Sequence, residues 1–199
     1  MSTTPRTTTA AADRLLGERH GLRLIVRARG GKRNTGTLIS EPDSKELIEG
    51  VRVSALRIHP DDRGYFLEVM RQGQGLAGQI GDGPMQVSAA LSYPGTIKAL
   101  HYHFVQTDLW APVQGQLQVC LFDLREDSPT FGVCNTLYVG TLQPWQLLIP
   151  PGVGHGYKVI GSEPAMLCYV TNRFYNPQDE GRIPYDDPGL NYDWETQHR

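Results

Sequence analysis

Between residues 51 and 171 the apolar positions fall in short runs, often alternating with polar ones, and clusters of turn residues separate the runs. These runs cover 51–58, 65–69, 85–91, 97–104, 109–113, 117–124, 136–139, 145–149, 157–160 and 166–171. Their β-branched and aromatic content suits a pleated, half-buried surface, so each predicts a strand. The punctuation is Pro60-Asp61-Asp62, Gly81-Asp82-Gly83, Pro94-Gly95, Pro150-Pro151-Gly152 and Asn176-Pro177, and these are residues that reverse a chain. No stretch of helical period lies between the runs, which excludes a parallel α/β sheet and predicts a closed or sandwiched all-β fold. Upstream the texture differs. Residues 1–12 read as a disordered tail, 13–18 as a short helix continuing Ala10, Ala11 and Ala12, and 22–26 as a possible strand. Gly30, Gly31, Lys32, Arg33 and Asn34 read as a basic, flexible stretch with no core to join. The division that follows is an N-terminal extension, partly flexible, over 1–48 and a barrel domain over 49–199.

Composition narrows the function without changing that picture. A chain of 199 residues suits one domain. Nineteen basic against 21 acidic side chains leave a formal charge of −2, which gives no drive toward nucleic acid or an anionic membrane. The N-terminus lacks an apolar run of signal-peptide type and no later stretch could span a bilayer. Cys120, Cys134 and Cys168 are odd in number and set among apolar neighbours, as buried thiols are in a reducing compartment. The expected location is therefore the cytoplasm.

Candidate chemistry centres on histidine. His101 and His103 stand two apart in Leu100-His101-Tyr102-His103, so on a strand both face one side, into the barrel, while Leu100 and Tyr102 face the other. Asp108 follows five residues later, across a predicted hairpin, and His155 lies in Pro150-Pro151-Gly152-Val153-Gly154-His155-Gly156. Between Gly95 and Gly115 the spacing resembles the first metal motif of cupin barrels, with Asp for the usual Glu, and Pro150, Gly152 and His155 keep part of the second. Three imidazoles and a carboxylate suit iron, manganese, nickel or zinc. A histidine in a β-rich chain is as often a hydrogen-bonded core residue, so the spacing alone leaves metal ligand, acid–base group and core residue open. His20, His59 and His198 fall in tails or beside a turn and are read as incidental.

A longer pattern resembles the dTDP-4-dehydrorhamnose 3,5-epimerase family. It is carried by Asp61-Asp62-Arg63-Gly64-Tyr65-Phe66-Leu67-Glu68, Ile97-Lys98-Ala99-Leu100-His101-Tyr102, Phe122-Asp123-Leu124-Arg125 with Ser128-Pro129-Thr130-Phe131-Gly132, Ile149-Pro150-Pro151-Gly152 with His155-Gly156, and Phe174-Tyr175-Asn176-Pro177. These segments keep the family's order from about Val51 to Trp194. The resemblance implies a cupin fold, a double-stranded β-helix or jelly-roll barrel, in a homodimeric enzyme that epimerises a nucleotide-linked 4-keto-6-deoxy sugar without a cofactor. It implies that His101 is the base, Tyr169 the acid on the opposite face, and Arg63, Glu68, Gln86, Lys98 and His155 the substrate contacts, Lys98 replacing the family's Arg.

Three departures mark this chain as a divergent member. The family's enolate-stabilising Lys is matched by Asp108, its Gln two after the base is His103, and its orienting Asp lies beyond the last Trp, where this sequence stops five residues after Trp194. Asp123, Asp186, Asp187 and Asp193 are the candidates for that lost carboxylate. The gained His and Asp support an alternative reading: a divalent transition metal on His101, His103, Asp108 and His155, in a metal-dependent cupin enzyme acting on another small substrate. A metal-ligated His101 could not also be the free base, so the two readings exclude each other at that residue. A third reading is a non-catalytic cupin that binds a sugar nucleotide.

Overall fold

Alternation on the central strands dictates how the chain closes. On β10 (Gln116–Asp123), Leu117, Val119 and Leu121 enter one buried cluster while Cys120 and Phe122 enter another. A strand that is apolar on both faces must be covered on both. The structure is a computed structural model that describes residues 12–196. One cover is a sheet ordered β4 (Arg52–Ala55), β12 (Trp145–Ile149), β9 (Asp108–Gln114), β14 (Ala165–Thr171), β7 (Gln86–Ser92). It faces a sheet ordered β15 (Glu180–Arg182), β8 (Ile97–His103), β13 (Val153–Ile160), β10, β11 (Cys134–Gly140), β3 (Thr37–Leu38). The pairings are antiparallel except for the short contact of β3 with β11. This is the jelly-roll barrel of the cupin type that the sequence predicts, and its interior is filled by Leu117, Val119, Leu121, Leu137, Leu147 and their neighbours.

The second cover corrects the reading of the N-terminal segment. Residues 13–18 are not helical: β1 (Arg14–Arg19) and β2 (Leu22–Val26) form a hairpin through His20 and Gly21, both at positive φ (50° and 77°). A two-residue turn of that hand matches the twist of the strands it joins, and it overrides the weak helical preference of 13–18. Leu24 and Val26 pack with Leu100, Phe122, Leu190 and Tyr192 on the outer face of the six-stranded sheet. Ile39 and Ile48 lie in the barrel interior. Leu24, Val26, Ile39 and Ile48, all before residue 49, thus belong to the barrel's two cores. Burying a side chain such as Phe122 or Leu24 contributes about 1.5–3 kcal/mol. Leu100, Tyr102 and Phe104 on and just after β8 need the same cover, which is why a segment so distant in sequence is drawn to them. The tail expected over 1–12 lies, up to residue 11, outside the described residues, as does His198.

The predicted runs recur as strands with two adjustments. The run at 51–58 divides into β4 and β5 (Ile58–Asp61), and β5 pairs with β6 (Gly64–Leu67) as a separate hairpin. The run at 157–160 starts earlier, at Val153, so His155 stands on a strand. Among the described residues no helix is long and apolar enough to cross a membrane.

Candidate active site

The link after β8 does not make the predicted hairpin with β9. It crosses from the six-stranded to the five-stranded sheet, so His103 and Asp108 approach from opposite walls. Asp179 holds the crossing in place, its carboxylate accepting the backbone N–H groups of Phe104, Val105 and Gln106 at 3.0–3.1 Å. The turn before it is side-chain chemistry, as expected for Asn176-Pro177: the Gln178 N–H donates to Asn176 Oδ1. The strand period then behaves as the sequence implies. His101 and His103 both line the interior pocket while Leu100 and Tyr102 join the outer cluster.

That pocket has a volume of about 380 Å³ and opens between the two sheets. His101 on β8 is the cross-strand partner of His155 on β13, and Arg182 on β15 flanks it on the other side. Tyr169 comes from β14 in the facing sheet, where it pairs with Trp110 of β9 and Ser88 of β7. Base and acid candidates therefore stand on opposite walls of one cavity. Gln86, Lys98 and His155 also line it. Arg63 and Glu68 do not: both are exposed, near the β5–β6 hairpin, where Arg63 pairs with Asp61 and Glu68 with Arg71. Within one chain they stand apart from the other expected substrate contacts.

The pocket floor is buried and polar. His103, Asp108 and His155 are 6%, 4% and 3% exposed, and their ligand-type atoms lie within 4.8 Å of one another. Asp108 Oδ2 faces His155 Nε2 at 3.4 Å and accepts the Trp110 indole N–H at 3.2 Å, while Oδ1 accepts the Gln106 amide at 2.7 Å. Burial by itself would raise the Asp108 carboxyl, but the His155 contact, with His103 and Gln106, holds it below the usual carboxylate range. His101 is outside this close group, which corrects the four-ligand set: three of those residues converge and the fourth stays free. The mutual exclusion of base and metal at His101 is thereby lifted.

Burial, followed by the neighbouring His155, pushes the His101 imidazole down to about 4, with Glu180 acting in the opposite sense. Glu180 Oε2 lies 4.0 Å from His101 Nδ1, while Oε1 is gripped by Arg182 through Nε and Nη2 at 2.8 and 2.7 Å. The carboxylate beside His101, the candidate base, is thus Glu180, which sequence reasoning missed. Of the four aspartates considered, none lines the pocket, and Asp123 is fully engaged with Arg125, Ser128 and Thr130. The only sequence signal for Glu180 is a carboxylate just after a turn, which is too common to single it out.

A family model described as dTDP-4-dehydrorhamnose 3,5-epimerase matches residues 45–199. Among curated relatives, the spore coat polysaccharide biosynthesis protein SpsL of Bacillus subtilis (strain 168) is 47% identical over 155 residues, covering 77% of this chain and all of SpsL. The probable low-salt glycan biosynthesis epimerase Agl13 of Haloferax volcanii is 37% identical over 153 residues, covering 75% of this chain and 96% of Agl13. Among solved structures, the dTDP-6-deoxy-D-glucose-3,5-epimerase of Legionella pneumophila Philadelphia 1, in complex with dTDP-4-keto-L-rhamnose, superposes with a TM-score of 0.65 at 30% identity. That superposition covers 76% of this chain and 82% of the other.

Proposed function

The chain belongs to the dTDP-4-dehydrorhamnose 3,5-epimerase family, and from that premise we propose that it epimerises a dTDP-linked 4-keto-6-deoxy sugar by proton transfer between His101 and Tyr169. The observation that carries the assignment of roles is their placement on facing walls of a single pocket. With its pKa lowered to about 4, His101 is neutral at physiological pH and its lone pair is free to take the proton beside the ketone. The C–H electron pair moves into a carbon–carbon double bond and the ketone oxygen becomes an enolate. Tyr169 then delivers its phenolic proton to the same carbon from the other side, the ketone re-forms and the centre is inverted. Exchange with solvent returns the proton from His101 and restores that of Tyr169. Glu180 takes the positioning role beside His101, acting through its charge since 4.0 Å is beyond a hydrogen bond. Lys98 at the exposed rim supplies positive charge for the diphosphate, and Gln86 contacts the sugar nucleotide. The family relationship favours this reading over a metal-dependent enzyme on another substrate and over a non-catalytic binding protein.

The direct test is incubation of the protein with dTDP-4-keto-6-deoxyglucose in D₂O, followed by mass spectrometry and NMR. Deuterium is expected beside the ketone, and an unlabelled sugar would refute the proposal. Tyr169→Phe sharpens it. Without the acid, the proton should exchange from the His101 face while inversion is lost, so label without epimer is expected. Label and epimer falling together would place Tyr169 outside the proton-transfer step.

The working form is a homodimer in the cytoplasm. Cys120, Cys134 and Cys168 are free thiols, which suits a reducing compartment. The edge strand β7 and the residue after it leave Val87, Leu91 and Tyr93 61%, 51% and 70% exposed, beside the pocket wall formed by Gln86 and Ala90. An apolar edge of this kind needs a cover. A second copy meeting it would let the exposed hairpin that carries Arg63 approach the partner's pocket, where Arg63 and Glu68 can serve. Light scattering should give twice the chain mass, and Leu91→Lys should shift it toward the monomer. A monomeric wild type would remove this part of the proposal.

A further inference from the structure

We propose that His103, Asp108 and His155 form a binding site for a divalent transition metal at the pocket floor, with His101 beside it and free. Its role in catalysis rests on the epimerase reading above, but the site itself stands on its own geometry.

The three side chains come from β8, β9 and β13, on two different sheets, and bring one potential ligand atom each to within 4.8 Å. Two imidazoles and one carboxylate are the donor set of open transition-metal centres, including zinc and non-haem iron, in which further positions are left for water or substrate. The polar contacts around them are those of outer-sphere support. The Nδ1–H of His155 donates to the Val153 carbonyl at 2.9 Å, so Nε2, the atom that faces Asp108, is the one placed to meet a metal. Gln106 and Trp110 fix one carboxylate oxygen each. On His103, Nδ1 is buried with no hydrogen-bond partner among the described residues, while Nε2 lies 3.3 Å from the Gln106 amide nitrogen.

Charge points the same way. The groups that meet Asp108 are an amide, an indole and an imidazole, none a permanent cation, although the carboxylate is nearly sealed from water. A buried carboxylate without a cation is costly. A divalent ion on these three residues would turn a negative floor into a positive one. Since all three line the same pocket as His101 and Tyr169, its open face would meet the substrate. When His101 removes the proton beside the ketone, the electron pair comes to rest on the ketone oxygen. A cation at the floor would hold that charge with no change in its own oxidation state until Tyr169 reprotonates the carbon.

The test uses untagged full-length protein purified without added metal. Elemental analysis should find a stoichiometric divalent transition metal. After chelator stripping, added Co²⁺ should give visible d–d absorption and saturate at an equimolar ratio. Asp108→Asn and His103→Gln, checked for folding by circular dichroism and thermal melting, should weaken metal binding by at least about 10–100-fold, since even outer-sphere partners cost that much. Substoichiometric metal with no Co²⁺ band, or unchanged binding in both folded variants, would overturn the site. Deuterium incorporation should fall on stripping and return on reloading. Full exchange in the stripped enzyme would overturn the catalytic role while leaving the epimerase reading intact. Stoichiometric metal without any exchange would instead remove the epimerase reading and leave the site.

Discussion

His101→Ala is expected to lower deuterium incorporation into dTDP-4-keto-6-deoxyglucose by about 10²–10⁴-fold, the range attributable to a positioned general base. The side chain is half-buried at the pocket wall and contributes to neither core cluster, so its truncation should leave folding nearly unchanged. The proposed nucleotide contacts are other groups, so calorimetry should show dTDP binding close to that of wild type. The loss should therefore appear in turnover more than in binding. Exchange at the wild-type rate in this variant would show that another group removes the proton.

Asp123→Ala is expected to cost about 3–5 kcal/mol of folding stability, the penalty for leaving one half of a buried ion pair without the other. The Asp123 side chain is fully buried. Its carboxylate accepts the Arg125 backbone N–H and guanidinium, the Ser128 hydroxyl at 2.5 Å and the Thr130 hydroxyl at 2.6 Å. Burial alone would raise this carboxyl, but the hydrogen bonds from Arg125, Ser128 and Thr130 outweigh burial and hold it below the usual range. A depressed folded value stabilises the protein above the unfolded pKa of about 3.9, and that contribution is lost as pH falls through the folded value. Urea unfolding should accordingly show a wild-type advantage over Asp123→Asn that is full near neutrality and shrinks below about pH 4. A pH-independent gap would place the effect in packing rather than charge. The segment Phe122-Asp123-Leu124-Arg125 with Ser128-Pro129-Thr130 is then a structural lock on the turn after β10 and lines no part of the pocket.

Much of the site was legible because strand geometry is local. A period of two puts His101 and His103 on one side and Leu100 and Tyr102 on the other, and the sheet keeps that division. The runs of β-forming residues and their turns likewise located the barrel strands to within a few positions. The strand at 22–26 is legible in the sequence, but its partner β1 reads as a helix there because the turn signal, His20-Gly21 at positive φ, is weaker than Asn-Gly. The need for it was nevertheless written in β10, whose two apolar faces demand two covers.

What the sequence by itself determined, then, was the kind of fold, the chemistry available and the direction in which each strand presents it. Tertiary structure alone decided which groups meet. It sent the chain across the barrel between His103 and Asp108, set Glu180 beside His101, gathered His103, Asp108 and His155 without His101, and left Arg63 outside the pocket. The reason is one of range: the side on which a residue projects follows from the backbone period over two or three residues. Proximity between strands distant in sequence follows from sheet order, register and crossing loops, which only the packing of the whole chain can set.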